Sequence, residues 1–230
     1  MMLRHLLVGV ACMTVWPVLA QERIALAGFE TSRDNQYAYL GMVLPLPGQK
    51  LGQGLVQRYW LDYVAYRYEK NATQLVDAKV AGAEAALGYQ NGNAEGWWGA
   101  YLGARLADTR LSPDDPGNED RGAHWRAKLQ IEGETRITPA WRLNAIASHL
   151  LGDDNYWVRL RAQTTLANQW FIGPELIAQG APNYRAYKVG AFVGNIKVGS
   201  DNALTLKVGL NKPHADSAAM YAGAEFYIPF

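Results

Sequence analysis

Two adjacent residues, Ser148 and His149, are of the types that serve as nucleophile and base in hydrolases. They lie in a segment of alternating polar and apolar residues, which predicts a β-strand. Neighbouring strand residues point to opposite faces, so this pair cannot form a catalytic dyad. The other histidines after residue 20, His124 and His214, do not stand at metal-ligand spacing. We therefore expect no catalytic residue, no metal and no cofactor.

The segment 123–137 shows most clearly which elements position the polar side chains. Its odd positions are mostly apolar and include Trp125 and Leu129, whereas its even positions include Arg126, Lys128 and Gln130. Period-two alternation predicts a β-strand with two opposed environments. The segments 156–166 and 204–210 repeat the pattern.

Similar segments recur from end to end of the chain without a helical period or a domain break. About twelve can be counted, with 10 to 14 compatible with the pattern. They lie near 23–30, 36–46, 54–68, 74–89, 94–106, 121–137, 140–151, 155–167, 169–179, 184–197, 203–211 and 218–230. The connectors alternate between short turns and others that include the long polar stretch 107–120. This pattern predicts an all-β fold, an antiparallel up-and-down outer-membrane β-barrel.

The composition of the two strand faces separates this barrel from a soluble one. The apolar face mixes Ala, Leu and Val, with aromatic residues near segment ends that fit interfacial girdles. These are Trp125, Trp141, Tyr156, Trp170 and Tyr187. The other face carries charges of both signs, so we expect Arg126, Arg159 and Arg161 to pair in the lumen with Glu132, Glu134, Glu175 and Glu225. The last strand ends on Phe230, as substrates of the barrel-assembly machinery typically do.

The N-terminus predicts secretion. A basic start at Arg4 and His5 precedes an apolar stretch and a small-residue site at Ala20, so residues 1–20 are expected to be a cleaved signal peptide and 21–230 a single barrel domain. The only cysteine, Cys12, leaves with the signal, which excludes disulfides and thiol chemistry. Removal of Arg4 leaves the mature chain without net charge, so we expect no nucleic-acid partner. A mean hydropathy of −0.18 excludes a bundle of membrane helices.

Several motifs carry a resemblance to a known family. The segment 111–122, Leu-Ser-Pro-Asp-Asp-Pro-Gly-Asn-Glu-Asp-Arg-Gly, is similar to the bacterial cellulose biosynthesis protein BcsS family. So are Gly88-Tyr89-Gln90, the segment 156–161, the segment 171–175, Tyr184-Arg185 and the segment 189–192, in the same order. The resemblance spans most of the mature chain and implies association with cellulose synthesis and a place in the cell envelope. It supplies no catalytic residues.

The acidic part of this motif is the one candidate for a cation site. Asp114, Asp115, Asn118 and Asp120 lie close together in the longest predicted loop. Oxygen-rich loops bind Ca²⁺, although the spacing differs from that of an EF-hand. Two alternatives stay open: a turn with solvated acids, and a rigid loop that folds over the barrel mouth.

Some aromatic residues alternate in step with the charged residues and so share the charged face of their strands. They are candidates to contact a glucan chain. Flat rings stack on pyranose faces, and charged groups hydrogen-bond sugar hydroxyls. The candidates are Trp157, Trp97, Tyr101, Arg159 and Arg161. The alternative is that the rings fill a small barrel or lie in a girdle.

These observations predict a non-enzymatic outer-membrane accessory protein of cellulose biosynthesis or export. The expected partners are outer-membrane lipid, the barrel-assembly machinery, and cellulose or subunits of the synthase and export complex. The alternatives are an outer-membrane enzyme acting on lipid or polysaccharide, and a soluble periplasmic carbohydrate-binding barrel.

Overall fold

Period-two alternation of side chains organises the chain into strands. A computed structural model describes residues 23–33, 35–71, 74–152, 155–181, 184–214 and 217–230. The predicted signal peptide lies outside these residues. Within them no helix is long and apolar enough to cross a membrane. The described strands are β1 (Ile24–Ser32), β2 (Asn35–Pro45), β3 (Gln53–Asn71), β4 (Gln74–Gly92), β5 (Gly96–Ser112), β6 (Gly122–Arg136), β7 (Trp141–Leu150), β8 (Tyr156–Thr165), β9 (Phe171–Ala181), β10 (Tyr184–Val198), β11 (Asn202–Pro213) and β12 (Ala219–Pro229).

The strands close into an up-and-down barrel, which confirms the predicted fold. Each strand pairs antiparallel with its neighbour in sequence, and β1 pairs with β12 from Ile24 opposite Pro229 to Ser32 opposite Tyr221. Each described strand therefore has a paired neighbour on both sides, and none forms the edge of a sheet. We call the end that holds the start of β1 and the end of β12 the terminal end, and the other the distal end.

The two faces of the wall differ as the alternation predicts. On β6, the Leu129 side chain points outward and is 44% exposed, whereas Gln130 points into the lumen and is 6% exposed. The outer faces of β4, β5 and β6 align Leu87, Leu102 and Leu129 directly across the strands. An unbroken apolar surface of this kind suits contact with lipid chains.

The predicted girdle residues lie on the outer surface near strand ends. Trp125, Trp141, Trp170 and Tyr187 are all exposed. The Tyr156 ring packs over Gly180 on the neighbouring strand, where an added Cβ would lie only 2.3 Å from the ring. Aromatic side chains at these positions fit the interfaces on either side of an apolar band.

The wall is taller on one side of the barrel. Strands β3 and β4 have 19 residues each and β5 has 17, whereas β7 and β8 have ten. A tilted strand crosses a bilayer in about 9–11 residues. The surplus lies at the distal end, where the outer face becomes polar and Arg67 pairs with Asp77 at 2.7 Å.

The predicted loop 107–120 is shorter than expected. Residues 107–112 belong to β5, where Thr109 pairs with Gly122 on β6 and Leu111 with Ala78 on β4. The apolar alternation fades there because Asp108 and Arg110 occupy the outer face, although the strand continues. The remaining connector, residues 113–121, still lies at the distal end and is the longest between two strands.

The outer face generates a first prediction. Leu129 lies near the middle of the apolar band, so Leu129→Arg should lower the free energy of unfolding by about 2–4 kcal/mol in lipid. Glu69→Arg, on the polar outer face at the distal end of β3, should cost less than about 1 kcal/mol. Urea titration of the barrel in lipid vesicles measures both values. Equal losses would contradict a depth-dependent lipid contact.

Candidate functional site: the ion-paired lumen

The lumen contains two networks of charged side chains, one on each side of the barrel. Alternation places them there because successive strand residues face opposite ways. The first, which we call the Glu225 network, consists of Glu225, Arg159, Arg161, Glu175, Lys207, Glu30 and Lys188. The second, the Glu84 network, consists of Glu84, Arg58, Lys128, Gln130, Glu132 and Tyr101.

The Glu225 carboxylate on β12 contacts three positively charged side chains. Arg161 on β8 donates two hydrogen bonds of 2.9 Å, one to each carboxylate oxygen. Arg159 and Lys207 each approach the same carboxylate to 3.2 Å. The planar guanidinium matches a carboxylate in this paired geometry, which makes the contact both strong and directional. The pair joins β8 to β12, with three strands between them in the wall.

The network continues from both ends of this pair. Arg161 also donates through Nε to Glu175 at 2.6 Å, and the Tyr221 hydroxyl donates to the other Glu175 oxygen at 3.0 Å. Lys207 bridges Glu225 to Glu30 on β1 with a contact of 2.7 Å, and Lys188 pairs with Glu30 from β10. Every carboxylate of the network thus has at least one buried cation, as burial of charge requires.

The Glu84 network occupies the opposite side. Arg58 on β3 donates to Glu84 at 2.8 Å and to Gln130 on β6 at 2.7 Å, and Lys128 contacts the second Glu84 oxygen at 2.6 Å. The Arg58–Gln130 contact spans from β3 to β6. Closer to the distal end, the Arg105 guanidinium pairs with Asp62 through both carboxylate oxygens.

Aromatic rings fill the space beside Arg58. Its guanidinium lies 4.3 Å from the centre of the Trp60 ring, which stacks on Tyr39 at 4.6 Å. The Trp60 ring rests on the backbone of Gly41, where any side chain would collide with it. Tyr101 donates to Glu132 at 2.7 Å and accepts from Gln90. Rings and ion pairs together bridge the middle of the lumen.

Several predicted partners were found and others were not. Arg159 and Arg161 do pair with Glu225, and Arg161 with Glu175. Arg126 pairs instead with Asp120 from the distal connector. Glu134 binds Arg142 and accepts from Gln163, and Glu132 accepts from Tyr101 and Gln130. Glu30, Lys188 and Lys207 also point into the lumen, and pairing of β1 with β12 brings Glu30 beside the two lysines.

The five candidates for glucan contact all face the lumen but do not form one surface. Tyr101 and Arg161 are buried in the two networks. Trp97 begins β5 at the terminal end, whereas Trp157 begins β8 at the distal end, so the barrel separates them. Trp157 lies beside Arg159, whose guanidinium is 5.8 Å from the ring centre. Glucan contact by these residues stays a prediction.

The acidic connector is held by contacts within the chain. Asp115 accepts from the Tyr68 hydroxyl at 2.8 Å and pairs with Lys70 at 2.8 Å, and Asn118 donates to the same hydroxyl. Donation from Lys70 and Tyr68 lowers the pKa of Asp115. The connector is therefore fastened to the distal end of β3, as in the folded-loop alternative.

Two further acids of the connector are also paired. Asp114 binds Arg121 through both oxygens, and Asp120 binds Arg126. Among the described residues, no group of three or more His, Cys, Asp or Glu side chains is arranged to hold a metal ion. Calcium binding by Asp114, Asp115, Asn118 and Asp120 stays a prediction that no contact in the loop favours.

The two residues typical of a hydrolase lie on opposite faces of β7. Ser148 is paired in register with the lumen-facing Gln130 and Trp157, and His149 with the outward-facing Leu129 and Tyr156. The wall therefore separates their side chains, as the alternation predicts.

The shared carboxylate generates a second prediction. Glu225→Ala leaves Arg159, Arg161 and Lys207 with one partner fewer, so the free energy of unfolding should fall by about 3–5 kcal/mol. Asp77→Ala, which breaks the exposed pair with Arg67, should cost about 1 kcal/mol or less. Urea titration followed by the gel shift between folded and heat-denatured barrel measures both. A loss for Glu225→Ala no larger than that for Asp77→Ala would contradict the role of the network.

Comparison with solved structures places this architecture among outer-membrane barrels. An outer membrane channel from Pseudomonas putida F1 is similar over 97% of this chain and 100% of its own, with a TM-score of 0.58 and 15% identity. The transport unit of the Escherichia coli autotransporter AIDA-I covers 95% and 93%, with a TM-score of 0.53 and 8% identity. A KdgM porin in complex with disordered oligogalacturonate covers 90% and 99%, with a TM-score of 0.51 and 10% identity. Because these sequence identities are low, the similarity applies to the fold alone.

No curated protein matches the sequence. The sequence does match a family over residues 24–230, which is the whole of the barrel. The matched range includes the acidic connector and the strands that carry both ion-pair networks. The chain belongs to the cellulose biosynthesis protein BcsS family.

Proposed function

We propose that the protein is a non-enzymatic outer-membrane accessory of cellulose biosynthesis or export. The observation that carries the proposal is a closed barrel with an apolar exterior and an ion-paired interior, in a chain of a cellulose biosynthesis family. In this proposal residues 1–20 direct secretion across the inner membrane and the barrel then inserts in the outer membrane.

The exterior supports a lipid environment over a soluble periplasmic barrel. Large apolar side chains are exposed on all twelve described strands, and Trp125 is 70% exposed. Soluble monomers rarely expose a continuous apolar surface of such extent. In a bilayer the same surface is covered by acyl chains, so outer-membrane lipid is the first proposed partner.

The interior supports a role without catalysis. An enzyme that acts on lipid or polysaccharide needs a nucleophile or a pair of carboxylates that converge on one pocket. Glu30, Glu84, Glu175 and Glu225 are instead each bound to buried cations. Acids held in such pairs lack the freedom that proton transfer to a substrate requires.

The bridged lumen also argues against passage of a polymer through the barrel at rest. A barrel of about twelve strands is narrower than the 16–18 strands that leave an aqueous channel in porins. Contacts from β8 to β12 and from β3 to β6 cross the space that remains. We therefore assign the barrel an accessory role beside the cellulose synthase and export subunits, in place of a conduit.

Gene deletion and fractionation test the proposal together. Deleting the gene should reduce secreted cellulose, and the wild-type gene should restore it. The protein should remain in the outer-membrane fraction after carbonate and high-salt washes and migrate differently before and after boiling. Unchanged cellulose in the deletion strain would exclude the accessory role. Release by carbonate would favour the soluble barrel.

The barrel-assembly machinery is a further proposed partner. Phe230 follows β12 directly and is 53% exposed, with its amide bonded to the Arg23 carbonyl. If the terminal aromatic is part of an assembly signal, deleting Phe230 should lower the amount of folded barrel without changing removal of residues 1–20. Phe230→Tyr keeps an aromatic ring and should assemble normally. Immunoblots of unboiled outer membranes measure both, and wild-type levels after the deletion would contradict the assignment.

A further inference from the structure

The distal mouth of the lumen differs in chemistry from its charged middle. From β8 round to β3 its wall presents aromatic rings, amides and hydroxyls. We call this arc the distal vestibule; its residues are Trp157, Gln179, Tyr184, Asn211, Asn35 and Tyr66. All six residues lie on the lumen face of their strands, and all except Asn211 are half-buried.

Strand register brings these residues together. Trp157 lies directly opposite Gln179, and Asn35 directly opposite Tyr66. The Tyr66 and Tyr184 rings lie 6.0 Å apart between β3 and β10, which are separated by four strands in the wall. The ring contact therefore connects the vestibule residues of β8 to β11 with those of β2 and β3 across the mouth.

Tyr184 takes part in a weak polar contact. The Gln179 amide donates to its hydroxyl at 3.5 Å. A contact of this length is weak, so the two groups can exchange one partner for another at small cost.

Asn211 supplies an unused acceptor. Its side chain is almost completely buried, with 2% exposure, and its Nδ2 reaches the Ser32 hydroxyl at 3.4 Å. Its Oδ1 atom is buried and has no hydrogen-bond partner. A buried acceptor without a partner costs stability, so such an atom calls for an explanation. A ligand hydroxyl is a group that would satisfy it.

The charged side chains that the structure describes nearest the vestibule are already paired. Lys188, opposite Asn211 on the neighbouring strand, binds Glu30. Arg159, beside Trp157, binds Glu225. On the facing side of the mouth, Asp120 binds Arg126 and Asp115 binds Lys70. A charged ligand would have to compete with these pairs, whereas a neutral one would not.

We infer that the distal vestibule binds a segment of a neutral β-glucan chain. Aromatic rings stack on the apolar faces of pyranose rings, while amides and hydroxyls bind the hydroxyls at their edges. Trp157 and Tyr66 supply the rings at the two ends of the arc, and Asn211 accepts from a sugar hydroxyl. The inference rests on the proposed function, because cellulose is the glucan that the family implies.

Titration of cellohexaose into the purified full-length barrel tests the inference. A detergent without a sugar headgroup avoids competition, and calorimetry together with tryptophan fluorescence reports binding. Saturable binding is expected, with Trp157→Ala weakening it about fivefold, the effect of one stacked ring. Phe171→Ala is the matched control, since Phe171 lies on the lumen face of β9 but at the terminal end, and it should leave affinity unchanged.

Asn211→Leu separates ligand binding from folding. It removes the unpaired acceptor while keeping a similar volume, so affinity should fall severalfold while the barrel keeps its gel shift on boiling. Oligogalacturonate, which carries a carboxylate on each sugar, should bind at least tenfold more weakly than cellohexaose. Equal affinity for the two would overturn the assignment to a neutral glucan.

The outcomes distinguish this inference from the proposed function. Absence of saturable binding by the wild type, or equal loss of affinity in Phe171→Ala and Trp157→Ala, would contradict glucan binding at the vestibule. If the deletion strain still lacks cellulose in that case, the accessory role stands without it. If binding follows the expected pattern but gene deletion leaves the amount of secreted cellulose unchanged, glucan binding at the vestibule is supported and the accessory role is contradicted.

Discussion

The pairing of backbone groups in a closed sheet is the constraint on which the rest of the structure depends. Within a bilayer every N–H and C=O must find a partner in the protein, and a barrel achieves this only when its last strand meets its first. The pairing of β1 with β12 does so from Ile24 to Ser32. Closure then fixes the parity of every strand, so each side chain faces either lipid or lumen.

The face of the strand on which a charged residue lies determines whether its charge must be neutralised by another side chain. A lumen-facing Glu or Arg of this small barrel is surrounded by protein, and an unpaired charge there would carry a large desolvation cost. Glu225 meets the requirement with three cations from two strands, and Lys207 is shared between Glu225 and Glu30. Because the partners come from strands far apart in the wall, the pairs also hold the cross-section of the barrel in one shape.

The sequence predicted those features that depend only on the alternation of side chains between the two faces of a strand. The two faces of 123–137, the twelve strands and the apolar exterior follow from alternation, which local residue order determines. The contacts between Arg161 and Glu225 were predicted by charge, but nothing local distinguishes them from the expected Arg126 pairs. Those depend on strand tilt and on the connector 113–121, which brings Asp120 to Arg126.

The separation of Trp97 from Trp157 has a different origin. Both stand second in their strands, but β5 and β8 run in opposite directions, so equal parity places the rings at opposite ends. The direction of each strand can be obtained by counting strands along the chain. Alternation alone tells only that both rings face the lumen, and it does not tell at which end of the lumen each one lies. The vestibule could not be found in this way, because its residues come from β8 to β11 and from β2 and β3, and only closure of the barrel brings the two groups together.

The same arrangement of charge that blocks the middle of the lumen leaves its distal mouth suited to a neutral ligand. A glucan chain brings hydroxyls but no charge, so it has nothing with which to replace the partners of Arg161 or Glu84. It can satisfy amides and stack on rings without breaking an ion pair. A neutral polymer that meets this barrel would therefore be held at the distal mouth and stopped by the networks beneath it.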